Sequence, residues 1–351
     1  MRNIERDGMS KDITLTSYGP IEGIVLLGGG KLLRKISLWA VSEGALLKVI
    51  TSPRHAEEVE DGETLLDFCS RHKIDHLVAE QITEQSVVRF LADTKQYFYL
   101  SLGAAWIFKS EVIERLFNNQ LFNLHGTRLP QNRGGGGFSW QIMMGNRFGF
   151  CVLHQVDGGV DTGDIIATEE FIYPSTARIP QDYETIYVDK NVDFVIDFIE
   201  AHRNGMEAVR PIRQSEWFSS YWPRLNTDLN GFIDWSLNAD EVERFICAFD
   251  SPYKGASTFL NGKRVFLKRV STSAQDGRFH PFQNGLIYRK SKDWVCIALK
   301  GATLIVEEMR SEDGKNILKD LKVGDRLYTP QSFLENAIDR VIYTPTGLKG
   351  I

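Results

Sequence analysis

Several of the commonest signs of function are missing from this 351-residue chain. It has only four cysteines, Cys69, Cys151, Cys247 and Cys296, scattered through apolar or mixed segments with no C-x-x-C pair. Structural zinc and dithiol redox chemistry need sulfurs at short spacing, so neither has support. Free, buried thiols in a reducing compartment are expected instead. No apolar run approaches the roughly eighteen residues that crossing a bilayer takes. The N-terminal MRNIERDGMSKDITLTS is polar and charged and has no apolar stretch of the kind a secretory leader carries. A cytoplasmic protein without a membrane partner is therefore expected. There is no surplus of basic charge either. The 41 Lys and Arg against 46 Asp and Glu give a net charge of −5, which disfavours nucleic acid as the main partner.

What is present is a regular alternation. The run IEGIVLLGGG (21–30) is apolar and ends in glycines, as a buried strand entering a tight turn would. KLLRKISLWAVSEG follows with helical spacing, placing Leu33, Ile36 and Ala40 on one face. Further strands are predicted at 45–52, DHLVAE, 96–103 and LFNLHG, with helical segments between them. Such alternation predicts an α/β domain with a mainly parallel sheet covered on both faces, over residues 1–210. Residues 211–235 are aromatic and irregular and read as a linker. Residues 236–351 hold short, turn-punctuated strands, with Asn261-Gly262 as a hairpin signal, and predict a small antiparallel, open-barrel-like β domain.

In open α/β sheets, ligands bind beyond the carboxyl ends of the strands. Asn123 and His125 fall at such an end, two apart, so their side chains share one side of the strand. The loop GTRLPQNRGGGG comes next, and FGFCVLHQVDGGVDTGDII (148–166) adds a strand, a glycine turn and the aspartates Asp157, Asp161 and Asp164. Their spacing does not fit a calcium loop and no glutamate closes it, so no metal is expected. A carboxylate that orients and charges an imidazole is the better role for one of them. Gly28–Gly30 lack the G-x-G-x-x-G continuation and the downstream acid of a dinucleotide site, so a close approach of some other ligand to Gly29 and Gly30 is expected. His55, His72, His76, His202 and His280 form no constellation and read as surface residues.

FNLHGTRLPQNRGG resembles the Asn-x-His-x-Ser-Leu-Leu-Pro-x-x-Arg-Gly stretch of the folate-dependent formyltransferases, and VDGGVDTGDII resembles their Leu-Asp-Thr-Gly-Asp segment. The resemblance implies their Rossmann-like fold, formyl transfer from 10-formyltetrahydrofolate to a primary amine, and Asn123, His125 and Asp161 as the catalytic set. It further implies a folate site near Leu102, Ala105, Trp106 and Ile107 and along Val156, Asp157, Gly158 and Gly159. Trp106 reads equally as a stacking wall or a core residue. His154, seven residues before Asp161, reads as a supporting or packed histidine. Thr127, Arg128 and the four glycines depart from the pattern and fall in the substrate loop.

A nucleophilic amine must lose a proton, and the carbonyl under attack gathers negative charge. His125 has the intrinsic pKa to take that proton near neutrality, and Asn123 offers an N–H to the developing oxyanion. Alternatively a protonated His125 faces the oxyanion while Asp161 or water takes the proton. Length fits poorly with the short glycinamide ribonucleotide enzymes. The run YWPRLNT resembles the linker of the sugar N-formyltransferases, so Tyr221 and Trp222 are expected on a base and Arg224 on a phosphate, with Thr127, Arg128, Arg133 and Gly135 completing the acceptor site. The expectation is an enzyme formylating a dTDP- or UDP-linked amino sugar for surface polysaccharide (O-antigen-type) assembly, and a homo-oligomer. A methionyl-tRNA formyltransferase and a non-catalytic folate or nucleotide binder are the alternatives.

Overall fold

The computed structural model describes residues 15–349; most of the polar N-terminal stretch lies outside the described residues. The chain divides into two compact units. One takes Met1–His125, Val152–Thr168 and Val192–Glu216; the other takes Gly126–Cys151, Glu169–Asn191 and Trp217–Ile351.

The first unit is built on β1 (Gly23–Gly28), β2 (Leu46–Thr51), β3 (Asp75–Val78), β4 (Tyr97–Leu102), β5 (Leu121–His125), β6 (Phe148–Gln155) and β7 (Ile165–Ile172), the last two continuing into the second unit. The sheet order is β7-β6-β5-β4-β1-β2-β3. β1 pairs in parallel with β2 and β4, β2 with β3, and β4 with β5, while β5 pairs antiparallel with β6. The mainly parallel sheet read from the alternation is therefore present, with an antiparallel step at β5/β6. Every residue of β1 is buried, as the unbroken apolar run requires of a strand covered on both faces. Helix α1 (Gly30–Ser42) buries Leu33, Ile36 and Ala40. Val25, Leu27, Ile50, Tyr99, Phe117 and Leu121 form the centre of this unit's core.

Two histidines depart from the surface reading. His55 and His202 are each 7% exposed. His202 ends a helix (Pro180–His202), where its Nδ1 lies 2.7 Å from the Phe198 carbonyl and its ring stacks on Phe198. His55 packs against Gly29, where a Cβ would come within 2.8 Å of its own Cβ. The His202 contact is a local one, between residues four apart on one helix, whereas the His55–Gly29 approach joins separate segments and has no sequence signature. The four cysteines are free and buried, as expected, and burial pushes the thiols of Cys151 and Cys247 up to about 12. Among the described residues, no helix is long and apolar enough to cross a membrane and no cluster could hold a metal ion.

The second unit carries a six-stranded antiparallel sheet of β8 (Ala256–Leu260), β9 (Lys263–Ser273), β10 (Ile287–Lys290), β11 (Val295–Leu299), β12 (Ala302–Ser311) and β13 (Leu327–Tyr328), in the order β10-β11-β12-β9-β8-β13. Its two edges are bridged at Leu286 and Arg326, so the sheet curls back on itself; the expected open barrel is nearly closed. The Asn261-Gly262 dipeptide turns β8 into β9, as read. Helix α2 (Ala239–Ala248) starts with a reciprocal cap between Asn238 and Glu241 and packs its buried Val242 and Ile246 on Leu267, Leu304 and Val306.

Asp276 locks part of this unit. It accepts hydrogen bonds from both Arg289 terminal nitrogens, at 3.0 and 2.6 Å, and from the Tyr288 hydroxyl at 2.8 Å. Arg289 first, then Tyr288, holds its carboxyl below the usual carboxylate range. A carboxyl whose folded pKa is depressed stabilises the fold above its unfolded pKa of about 3.9, and that contribution fades as pH falls through the lower folded value. Asp276→Asn should therefore lower the melting temperature at pH 7, and the difference from the wild type should shrink as pH falls through the depressed folded value, as followed by calorimetry.

Candidate active site

The register of β5 against β6 sets Asn123 directly opposite His154, and His125 opposite Val152. Side chains opposed in an antiparallel pair project on the same face, so Asn123 and His154 meet. Their Nδ2 and Nε2 atoms are 3.1 Å apart. The other ring nitrogen of His154, Nδ1, lies 2.7 Å from the Gln155 carbonyl oxygen. A carbonyl accepts only, so Nδ1 carries the proton and donates to it. In the neutral ring Nε2 is then an acceptor, and the Asn123 amide donates to it. This fixes which end of the Asn123 amide faces the ring. A second proton on His154 would set N–H against N–H at that contact.

Asp161 stands between two imidazoles. One oxygen lies 3.7 Å from His125 Nδ1 and the other 3.5 Å from His154 Nε2. All three side chains are sheltered: His125 is 9% exposed, His154 2%, and the Asp161 side chain 15%. A carboxylate at these distances favours a positive imidazole; His154 meets the Asn123 amide nitrogen at Nε2 and the Gln155 carbonyl at Nδ1, whereas His125 turns Nδ1 to the carboxylate. The positive charge can thus be received at His125.

The loop from 156 to 164 delivers Asp161. Gln155 N–H donates to the Asp164 carbonyl at 2.9 Å and Val156 N–H to the Leu121 carbonyl at 2.8 Å, closing its base. Asp157 accepts from the Gly159 N–H at 3.0 Å and from the Thr162 hydroxyl, so it shapes the turn. Gly163 is required by space: a Cβ there would lie 2.0 Å from the Gln155 carbonyl oxygen. Asp161 itself adopts a left-handed backbone, φ 53°, which residues other than glycine rarely do. Its carbonyl and that of Gly163 accept from the Gln214 side-chain amide at 2.9 and 2.7 Å.

The formyl transferase C-terminal domain family matches residues 227–320. Over 197 residues the chain is 31% identical to the methionyl-tRNA formyltransferase of Desulfotalea psychrophila, covering 56% of this chain and 58% of that one. Over 263 residues it is 24% identical to the methionyl-tRNA formyltransferase of Geobacter metallireducens, covering 74% and 80%. The chain thus spans well under two thirds of the Desulfotalea relative. Among solved structures, WlaRD, a sugar 3N-formyltransferase determined with dTDP and 5-N-formyl-THF, superposes with a TM-score of 0.60 at 18% identity, covering 82% of this chain and 97% of that one. The N-formyltransferase from Helicobacter canadensis, determined with folinic acid and dTDP-3-aminofucose, gives 0.60 at 17% identity, covering 82% and 99%. Residues 227–320 thus match the formyl transferase C-terminal domain, and the chain shares its fold with formyltransferases of known structure.

The other residues that the formyltransferase resemblance singles out fall into three groups. Leu102 and Trp106 are core residues; the Trp106 indole donates to the Glu80 carbonyl at 3.0 Å and packs in the first unit's core. Ala105 is half-buried and Ile107 is 76% exposed. Val156, Asp157 and Gly158 line a cleft of about 330 Å³ with Ser110, Gln155 and Gly163, and Gly159 is exposed beside them. Gly29 and Gly30 lie at the carboxyl end of β1, as expected.

The remaining candidates belong to the second unit. Arg133–Gly134 pair in parallel with Tyr221–Trp222. A Cβ on Gly134 would lie 2.2 Å from the Trp222 carbonyl, and one on Gly135 would lie 2.3 Å from Arg224 Cγ. The glycine run therefore makes room for residues 221–224, a close approach that the sequence reading assigns to a ligand. Trp222 is half-buried and its neighbour Pro223 accepts from the Trp140 indole at 2.9 Å. Thr127 is buried and donates to the Asn132 carbonyl at 2.8 Å; Arg133 is buried, whereas Arg128 and Arg224 are exposed. Tyr221 stays exposed, with the Arg340 guanidinium 5.5 Å from its ring centre.

His154 is the residue whose importance the sequence understates. Its period-2 position marks it as inward-facing, but only the β5/β6 register brings it to Asn123. Nitrogen NMR of the imidazoles should find the neutral His154 ring as its Nδ1–H tautomer. A neutral ring protonated on Nε2 would contradict the network.

Proposed function

We propose that the protein is an N-formyltransferase that moves a formyl group from 10-formyltetrahydrofolate to the primary amine of a dTDP- or UDP-linked amino-deoxy sugar, in the cytoplasm, for surface polysaccharide assembly. One observation carries this reading. Asp161, distant in sequence from His125, brings its carboxylate to 3.7 Å from that ring, at the end of the strand that also carries Asn123.

In this reading His125 accepts the proton that leaves the amine. Asp161 offsets the resulting charge, because a carboxylate beside an imidazolium favours the charged form. Asn123, held by His154, presents amide N–H to the oxygen on which negative charge develops; loss of one such donor typically costs about 2.7–4 kcal/mol of barrier. The cleft beside Val156, Asp157 and Gly158, about 330 Å³, has room for one flat ring bordered by backbone groups. Those residues would hold the folate. Bound 10-formyltetrahydrofolate supplies the formyl carbonyl. The sugar-nucleotide acceptor is supported by the ligands of the two superposed structures, dTDP and dTDP-3-aminofucose, and by exposed Tyr221 and Arg224 as groups suited to a base and a phosphate. Transfer to charged initiator tRNA is the second reading, favoured by the names of the sequence relatives.

The test is incubation with 10-formyltetrahydrofolate and a panel of amines, following tetrahydrofolate release by absorbance. Turnover is expected with dTDP- or UDP-linked amino sugars. Turnover with charged initiator tRNA alone would replace the acceptor, and none with any amine would remove formyl transfer. His125→Ala and Asp161→Asn should each slow turnover by about 10²–10⁴-fold with unchanged circular dichroism; wild-type rates in either would show that the chemistry lies elsewhere.

A further inference from the structure

We infer that Gln214, outside the Asn123–His125–Asp161 set, is a positioning residue that aims the Asp161 carboxylate. The inference rests on the reading of Asp161 as the carboxylate of the formyl-transfer site.

Asp161 is a non-glycine residue held left-handed, at φ 53°. L residues keep such a backbone only when surrounding structure fixes it. The loop's own ties act at other points: Asp157 turns residues 157–162, and the main chain of Gln155 and Asp164 closes the base. At Asp161 itself the anchor comes from far along the chain. Gln214 is 9% exposed, and its Nε2 donates to the carbonyls of Asp161, at 2.9 Å, and Gly163, at 2.7 Å. An amide nitrogen carries two hydrogens, and one goes to each carbonyl. Binding both fixes the 161–162 and 163–164 peptide planes, one on either side of the Thr162–Gly163 peptide.

The segment that carries Gln214 is itself pinned to the first unit. Thr16 and Val209 exchange two backbone hydrogen bonds of 2.9 Å, and Ile165 and Ile212 exchange bonds of 2.9 and 2.8 Å. Gln214 lies two residues beyond Ile212, so its backbone is held where the side chain can span both carbonyls. The amide touches only main chain at these two points and does not reach the imidazoles through them. Its effect is on direction: a carboxylate 3.7 Å from His125 and 3.5 Å from His154 is beyond hydrogen-bond length, so small rotations of its backbone change both interactions.

Gln214→Met keeps the buried volume and removes the donors; Gln214→Glu keeps the shape and turns a donor toward two carbonyls into an acceptor. A misplacement of about 1 Å near reacting groups can cost about 10²-fold. Both variants should therefore lower kcat by about 10- to 100-fold and leave KM for the formyl donor and the amine nearly unchanged. The His125 imidazole, faced by Asp161 and His154, should titrate at lower pH by NMR in each variant, because a displaced carboxylate supports its positive form less. A merely structural role would lower the melting temperature without that shift. Wild-type kcat and an unmoved His125 titration in Gln214→Met would overturn the inference. If that variant does not fold, Gln214→Asn, which draws the amide back by one methylene, should show the same lowered kcat and shifted titration, and wild-type behaviour there would equally overturn it. A wild-type protein that transfers formyl to no amine would instead sink the functional reading, and the His125 titration would still report on Gln214.

Discussion

A single carboxylate between two imidazoles is the interaction on which the proposed site depends. Asp161 lies within ion-pair distance of His125 and His154, yet the two rings are not equivalent. His154 gives its Nδ1 proton to the Gln155 carbonyl and accepts from Asn123 at Nε2. His125 meets the same carboxylate through Nδ1. The His154 ring also decides how the Asn123 amide is turned. One hydrogen-bonded chain thereby separates the group that can become charged from the group that can only donate.

That separation depends on strand register. A shift of β6 by one residue would turn His154 to the other face of the sheet and put Leu153 or Gln155 opposite Asn123. The buried residues of β5 and β6, Phe122, Leu124, Cys151 and Leu153, make such a slip costly because it would expose them. The site's precision is thus borrowed from the apolar burial of the sheet, and the loop carries only the one group that must come from elsewhere. In that loop the three aspartates divide the work: Asp157 forms the turn, Asp161 faces the rings, and the main chain of Asp164 closes the base.

The glycine-rich stretch after His125 has a different explanation from the one its composition suggests. Bare backbone at Gly134 and Gly135 is filled by the chain at 222–224, within the second unit. Glycine reports that something approaches closely; whether the visitor is a ligand or the protein's own backbone depends on contacts that sequence spacing does not contain. Trp106 is a parallel case, where an aromatic beside a strand end proves to be core, satisfied by the Glu80 carbonyl.

The sequence by itself determined the alternating strands and helices, the antiparallel module with its Asn261-Gly262 turn, and the placing of Asn123 and His125 at a strand end. These follow from local periodicity and turn chemistry, which act over a few residues. The pairing of Asp161 with His125 was legible only through resemblance, since the 35 intervening positions carry no rule that brings two side chains together. Tertiary structure alone decided that His154 orients Asn123, that Gln214 grips the loop of Asp161, that His55 and His202 are buried, and that the chain leaves the first unit directly after His125. Each of these depends on register or on a contact between distant segments, and such contacts are fixed by how the apolar faces pack as a whole.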